Sequence, residues 1–212
     1  MNKTVRIKFC AMTNSEDALM AAQLGVDAIG VIFYPTSPRH MTVEKTKALL
    51  QVLPPYLTTV GIFVNPTPAE VRAILAVAPL DVLQFQGQES AHFCEQFGRP
   101  YIKAIHVNAE VDIMAAFARY SSAQGLLLDN SQPGILGGTG VTFDWSLVPK
   151  NPPKPLILAG GLTPANVATA IRQVKPFAVD VVSGIERERG LKDHAKMRAF
   201  VEQVRKTEGM LA

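Results

Sequence analysis

The chain has 212 residues with 21 basic against 18 acidic side chains, a formal net charge of +3, 48% hydrophobic and 18% charged residues. Those charges form no Lys/Arg stripe interleaved with aromatics, so a nucleic-acid surface is not implied. The apolar content excludes disorder, and no run of about 18 apolar residues is present to cross a membrane.

The opening run Val5 to Cys10 reads as a strand whose alternation places Val5, Ile7 and Phe9 on one face and Arg6, Lys8 and Cys10 on the other. Asn14-Ser15-Glu16-Asp17 then signals a helix start. Strand-like runs follow at Ala28 to Phe33 and Thr58 to Val64, with a Thr67-Pro68-Ala69-Glu70 helix start after the latter. Val82 to Gln86, Tyr101 to Val107 and Gly125 to Asn130 continue the series. After them comes the glycine-rich stretch Ser131 to Thr142, expected to be a mobile loop, and the short Pro-rich connection Lys150 to Pro155. Two more runs, Pro155 to Gly160 and Ala178 to Gly184, bracket a helix expected to start at Thr163-Pro164, with proline in its first turn. The last segment, Asp193 to Glu208, carries Met197, Phe200, Val201 and Val204 at helical spacing and should dock on the wall of the fold.

Eight apolar runs, each followed by about one helix, require parallel pairing with crossovers. In about 200 residues that pattern specifies a single (β/α)₈ barrel of the TIM type, spanning residues 1–212 as one domain. A doubly wound open sheet is the alternative, but no GxGxxG follows the first run. The two cysteines, Cys10 and Cys94, lie in different elements with no CxxC or Cys/His spacing, so neither a disulfide framework nor a metal site is implied. With no signal-like apolar segment near the N-terminus, the expected location is cytoplasmic.

Chemistry in such a barrel sits at the C-terminal ends of the strands. Lys8 and Cys10 are expected to point inward, where an ammonium needs an anion or a polar network. Cys10 reads either as a small buried hydrophobe or as a reactive thiol, and its place two residues after the inward lysine favours the latter. Asp129 closes the oily run GLLLD as a turn cap or as a general acid or base. Gly160, Gly161, Ser183 and Gly184 end the last two strands, where backbone N–H groups cradle phosphate in barrels of this kind. Arg39, between Pro35 and Pro38 on one side and His40 on the other, is a solvated arginine or a bidentate clamp for a carboxylate. His40, His92, His106 and His194 show no ligand or triad spacing.

Together these residues resemble the phosphoribosylanthranilate isomerase family of tryptophan biosynthesis. The likeness runs through KFCAMTNSEDA, SPR, VGIFVN, LLLD with GGTGVTFDW, LAGGLTPANV and VDVVSGIE with GLKD. It departs at Ala11, where the family has glycine, at Gln86, where it often has histidine, and at Val182, where serine is usual. The resemblance implies an Amadori rearrangement with Asp129 as general acid and Cys10, as thiolate, as general base, Lys8 assisting it. It implies Arg39 on the substrate carboxylate and the backbones of Gly160, Gly161, Ser183 and Gly184 on the phosphate. It further implies no metal and no organic cofactor, a small phosphorylated substrate as partner, no nucleic acid or membrane, and a monomer or homodimer. Rival readings are a related ribose-phosphate barrel, such as indole-glycerol-phosphate synthase or a histidine-pathway isomerase, and a phosphate-binding barrel without catalysis.

Overall fold

The computed structural model describes residues 4–130 and 142–211. The glycine-rich loop expected over Ser131 to Thr142 therefore lies, but for Thr142, outside the described residues. Eight strands close a barrel in sequence order: β1 (Arg6–Phe9), β2 (Ala28–Ile32), β3 (Thr58–Phe63), β4 (Val82–Phe85), β5 (Tyr101–His106), β6 (Gly125–Asp129), β7 (Leu156–Leu158) and β8 (Ala178–Val181). Every pairing around the barrel is parallel, and β1 closes it against β8.

The helices are α1 (Ser15–Gln23), α2 (Val43–Gln51), α3 (Pro68–Val77), α4 (Ala91–Glu95), α5 (Ile113–Arg119), α6 (Val167–Val174) and α7 (His194–Leu211). Their starts follow from side-chain oxygens that take up otherwise unpaired amides. Asn14 accepts from Asp17 N at the head of α1, and Thr67 with Glu70 forms a reciprocal capping box ahead of Pro68 on α3. The helix expected from Thr163-Pro164 begins instead at Val167. The physical reason is Asn166, whose Oδ1 accepts from Thr163 N at 2.8 Å and whose Nδ2 donates to Gly161 O at 2.9 Å, bracing the preceding loop instead of capping a helix. Between β6 and β7 the described residues hold a 3-10 turn, Trp145–Leu147. After β8 come a 3-10 turn, Ser183–Ile185, and a small antiparallel hairpin, β9 (Glu186–Glu188) with β10 (Leu191–Lys192).

The strand alternation sorts the barrel into two layers. Ile7, Phe9, Ile29, Val31, Phe85, Leu126, Leu128, Leu158, Val179 and Val181 join the helix-facing core. Phe85 is a hub there, its ring 5.7–6.1 Å from those of Phe63, Phe93, Phe97 and Tyr101. The α7 stripe docks as expected, with Met197, Phe200 and Val204 wholly buried and the Phe200 ring edge-on to Phe9 at 5.9 Å. The inner layer is smaller, with Ala104, Leu127, Ile157, Ala159 and Ala178 in one cluster and Cys10, Ala11, Ile32 and Ile62 in another nearer the mouth. Small side chains leave a cavity of about 620 Å³ at the N-terminal end of the strands, lined by Val60, Val82, Ile102 and Leu127 with Tyr56 and Phe177. It lies at the end opposite the strand C-termini and holds none of the candidate residues apart from part of Lys8.

Candidate active site

Lys8 points into the barrel from the middle of β1 and donates to Asp180 Oδ1 on β8 at 2.9 Å, both side chains being buried. Burial opposes the ammonium, but the Asp180 carboxylate and then Cys10 outweigh it, so the Lys8 pKa lies above its ordinary value. Cys10 follows at the end of β1, where its N–H donates to Val181 O and its side chain is 4% exposed. Gly30 on β2 makes room for the thiol, since a Cβ there would lie 2.7 Å from Cys10 Sγ. Burial pushes the Cys10 thiol up, and the pull of Lys8 and Lys192 in the other direction does not overcome it. Lys8 thus favours the thiolate, while the net shift runs toward the thiol. Ala11 takes φ 60°, the left-handed conformation that its departure from glycine demands, at a cost of about 1 kcal/mol.

Asp129 ends β6 half-buried at the barrel mouth. Its Oδ2 accepts from Gln86 Nε2 at 3.0 Å, and Gln86 Oε1 accepts from Gln84 Nε2 at 2.8 Å. His106, the register partner of Asp129 on β5, places its Nε2 2.9 Å from Gln86 O. Gly160 packs against the same carboxylate: at φ 77°, with a would-be Cβ 2.7 Å from Asn130 N and 3.1 Å from Asp129 Oδ1, no larger residue fits without displacing the acid.

Gly161, at φ 66°, continues that turn toward the loop that Asn166 braces. Ser183 and Gly184 open the 3-10 turn after β8. Gly184 is fixed by close approach, because a Cβ there would lie 1.9 Å from Leu162 O. The two glycine-bearing strand ends therefore interlock, although α6 starts only at Val167, beyond Gly160 and Gly161.

Arg39 is neither solvated nor free. It is 5% exposed, and its Nε and Nη2 donate to the two oxygens of Glu186 at 2.7 and 2.6 Å. Glu186 also accepts from Gly190 N and from Lys192 Nζ, which in turn donates to Val182 O at 3.1 Å. Two of the three guanidinium nitrogens are thus committed to Glu186. Glu186 and Lys192 are absent from the residues singled out by sequence. Their one sequence signal is a charged pair flanking Gly190 directly after the strand-eight glycine.

These groups form one electrostatic neighbourhood. Cys10 is acted on by Lys8, Asp180 and Lys192, and Asp180 in turn by Asp129, so the thiol and the strand-six carboxylate share Asp180 as a common neighbour. Among the described residues no three His, Cys, Asp or Glu side chains are grouped to hold a metal ion, and no helix is long and apolar enough to cross a membrane. The arrangement offers a thiol and a carboxyl group for proton transfer, a guanidinium beside them, and two glycine turns exposing backbone amides.

A family model described as N-(5'-phosphoribosyl)anthranilate (PRA) isomerase matches residues 7–203. A Pseudomonas fluorescens (strain SBW25) protein named N-(5'-phosphoribosyl)anthranilate isomerase is 52% identical over 207 residues, 98% of this chain and 99% of that one. An Azotobacter vinelandii protein of the same name is 55% identical over 201 residues, 95% of this chain and 98% of that one. The crystal structure of phosphoribosyl anthranilate isomerase from Thermotoga maritima superposes with a TM-score of 0.88 at 38% identity, covering 95% of this chain and 99% of the other. A second crystal structure of such an isomerase, in complex with reduced 1-(o-carboxyphenylamino)-1-deoxyribulose 5-phosphate, gives a TM-score of 0.85 at 37% identity over the same shares. The chain belongs to the N-(5'-phosphoribosyl)anthranilate isomerase family.

Proposed function

We propose that this isomerase converts N-(5-phosphoribosyl)anthranilate into 1-(2-carboxyphenylamino)-1-deoxyribulose 5-phosphate, a step of tryptophan biosynthesis, with Asp129 as general acid and Cys10 as general base. Asp129 gives its proton to the furanose ring oxygen as the C1–O bond breaks, and the anthranilate nitrogen lone pair forms the iminium. The Cys10 thiolate takes the proton from C2, and the C2–H electron pair flows into the C1–C2 bond and onto nitrogen. The resulting enolamine becomes the aminoketone by proton transfer from the C2 hydroxyl to C1, and a proton passing from Cys10 to Asp129 by way of solvent restores the enzyme, so the reaction is isomeric and redox-balanced.

The observation that carries this reading is that the thiol of strand one and the carboxylate of strand six share Asp180 as a charged neighbour at the barrel mouth. Burial favours the Cys10 thiol, while Lys8 and Lys192 favour the thiolate, the form that acts as the base. Arg39 Nη1 takes the anthranilate carboxylate. The backbones of Gly160, Gly161, Ser183 and Gly184 take the phosphate, and fixing both ends of the substrate lowers the barrier by several kcal/mol through orientation. No metal or organic cofactor takes part in this scheme. The chain works in the cytoplasm as a monomer or a homodimer, which sedimentation velocity distinguishes; one structural relative, from Thermotoga maritima, is described as dimeric.

The test generates phosphoribosylanthranilate in situ from anthranilate and phosphoribosyl pyrophosphate and follows the loss of its fluorescence. Rapid loss with the wild-type protein, and a fall of about 10³-fold or more with Cys10→Ser and with Asp129→Asn, is expected. Loss at the uncatalysed rate with folded wild-type protein would sink the assignment, and full activity in either variant would sink that residue's role.

A further inference from the structure

We infer that Gln86 is a positioning residue for Asp129, the terminal link of an amide relay that holds one oxygen of its carboxyl group and so fixes how that group is presented. The inference rests on the reading of Asp129 as the general acid. Along β4 and its exit, Gln84 Nε2 donates to Gln86 Oε1 at 2.8 Å and Gln86 Nε2 donates to Asp129 Oδ2 at 3.0 Å.

The relay has a fixed polarity. With Asp129 ionised and the Gln84 amide as it stands, turning over the Gln86 amide would set its oxygen against the Asp129 carboxylate and its NH₂ against that of Gln84, two repulsive contacts in place of two hydrogen bonds. In the arrangement observed, the Gln84 donor and the Asp129 acceptor agree on which end of Gln86 meets the carboxyl group. Gln84 Oε1 is left buried without a hydrogen-bond partner, a cost of desolvation with no local gain. A buried unpaired oxygen is uncommon in a folded chain, and its place at the blind end of a relay to the acid accounts for it.

The backbone that carries Gln86 is equally constrained. Gln86 N donates to Phe63 O at 2.8 Å. Three successive carbonyls are met by side chains of β5: Lys103 Nζ donates to Phe85 O at 3.1 Å and to Gly87 O at 2.8 Å, and His106 Nε2 lies 2.9 Å from Gln86 O. Lys103 is itself 1% exposed and paired with Glu89 Oε2 at 3.4 Å. These bonds fix the backbone from which the Gln86 side chain reaches Asp129. With Oδ2 held by Gln86, and with Oδ1 3.1 Å from where a Cβ on Gly160 would stand, the carboxyl group is restricted before substrate arrives.

The experiment compares Gln86→Leu, which removes the donor, with Gln86→His, whose ring N–H restores one, each alone and in the Asp129→Asn background. Steady-state kcat and KM are measured on phosphoribosylanthranilate, with thermal midpoints as the folding control; Gln86→Met replaces the Leu variant should that one not fold. Expected is a loss of about 10- to 100-fold in kcat for Gln86→Leu with KM within about twofold, and recovery to within about threefold in Gln86→His. In the Asp129→Asn background Gln86→Leu should cost nothing further. Wild-type kcat in Gln86→Leu, a loss confined to KM, failure of Gln86→His to recover, or an undiminished loss in the Asp129→Asn background would each overturn the positioning role. Full activity in Asp129→Asn alone would instead overturn the acid assignment on which the inference stands.

Discussion

Lys8 and Asp180 are partners twice over: they face each other in register across the β1–β8 pairing that closes the barrel, and their side chains form a buried ion pair at 2.9 Å. The strand seam and the charge pair therefore depend on the same alignment. Slipping β1 by one residue would send Lys8 into the helix layer and Phe9 into the barrel. Removing Lys8 alone strands a buried carboxylate, so Lys8→Met is expected to lose about 3–5 kcal/mol of stability by urea unfolding. Because Lys8 pulls the Cys10 thiol down, the same variant should have a lower rate at neutral pH and an alkaline shift of the rising limb of its pH–rate profile. An unchanged profile in folded protein would show that the lysine serves the seam and not the thiol.

Glu186 binds Arg39 through two hydrogen bonds and lies 3.4 Å from Lys192. Burial pushes its carboxyl up, but the hydrogen bonds from Arg39 and the charge of Lys192 outweigh this, and its pKa lies below the ordinary value. A depressed folded pKa contributes stability that is complete above the unfolded value of about 4.3 and is lost as pH falls through the folded one. Glu186→Ala should therefore destabilise by about 3–5 kcal/mol at pH 7, and by progressively less in acid. In the assay it should raise KM more than it lowers kcat, since a loosened Arg39 no longer presents Nη1 to the substrate. Equal effects at pH 7 and in acid would remove the charge from this account.

The barrel was legible because its strands are buried on both faces and read as continuous Val/Ile/Leu runs, each ended by a turn. Lys8, Cys10 and Asp129 stood out for the same reason in reverse, as polar groups closing apolar runs. What remained hidden depends on distance along the chain. Arg39 and Glu186 are 147 residues apart, and no local pattern announces that a loop after the second strand will be gripped by a hairpin after the eighth. The start of α6 lies later than expected because Asn166 spends its side chain on the loop before it, through contacts to Thr163 N and Gly161 O that the local sequence does not announce.

Cys94, wholly buried on α4, has its thiol pushed up to about 12, chiefly by burial and secondarily by the charge of Glu89. The sign follows from which state ionises first. In the unfolded chain the thiol loses its proton near its ordinary value of 9 and in the folded one only near 12, so the unfolded state is favoured increasingly between them. This single group should lower stability by about 1.4 kcal/mol per pH unit across that interval. Urea unfolding at pH 8, 9, 10 and 11 checks it, with Cys94→Ala expected to show a lower stability at pH 8 and a flatter decline above 9. Parallel declines in the two proteins would assign the alkaline instability elsewhere.

Gly184 has no latitude for a side chain, and the reason is steric and not conformational. A Cβ at this position would sit 1.9 Å from the carbonyl oxygen of Leu162 and 3.0 Å from Thr163 Cα, both backbone atoms that no rotamer change can move aside. Gly184→Ala must therefore push the 3-10 turn after β8 away from the loop after β7, separating the two strand ends that are read as the phosphate cradle. The stability loss should be that of an overpacked site, about 1–3 kcal/mol. The functional loss should be larger and lie mainly in KM, rising by about tenfold or more, because the amides proposed to hold the phosphate would do so in ground state and transition state alike. Inorganic phosphate supplies the second readout: as a competitive inhibitor of the wild-type protein it should lose potency in Gly184→Ala by a similar factor. Wild-type KM and wild-type phosphate inhibition in this variant would mean that the turn after β8 does not touch the phosphate.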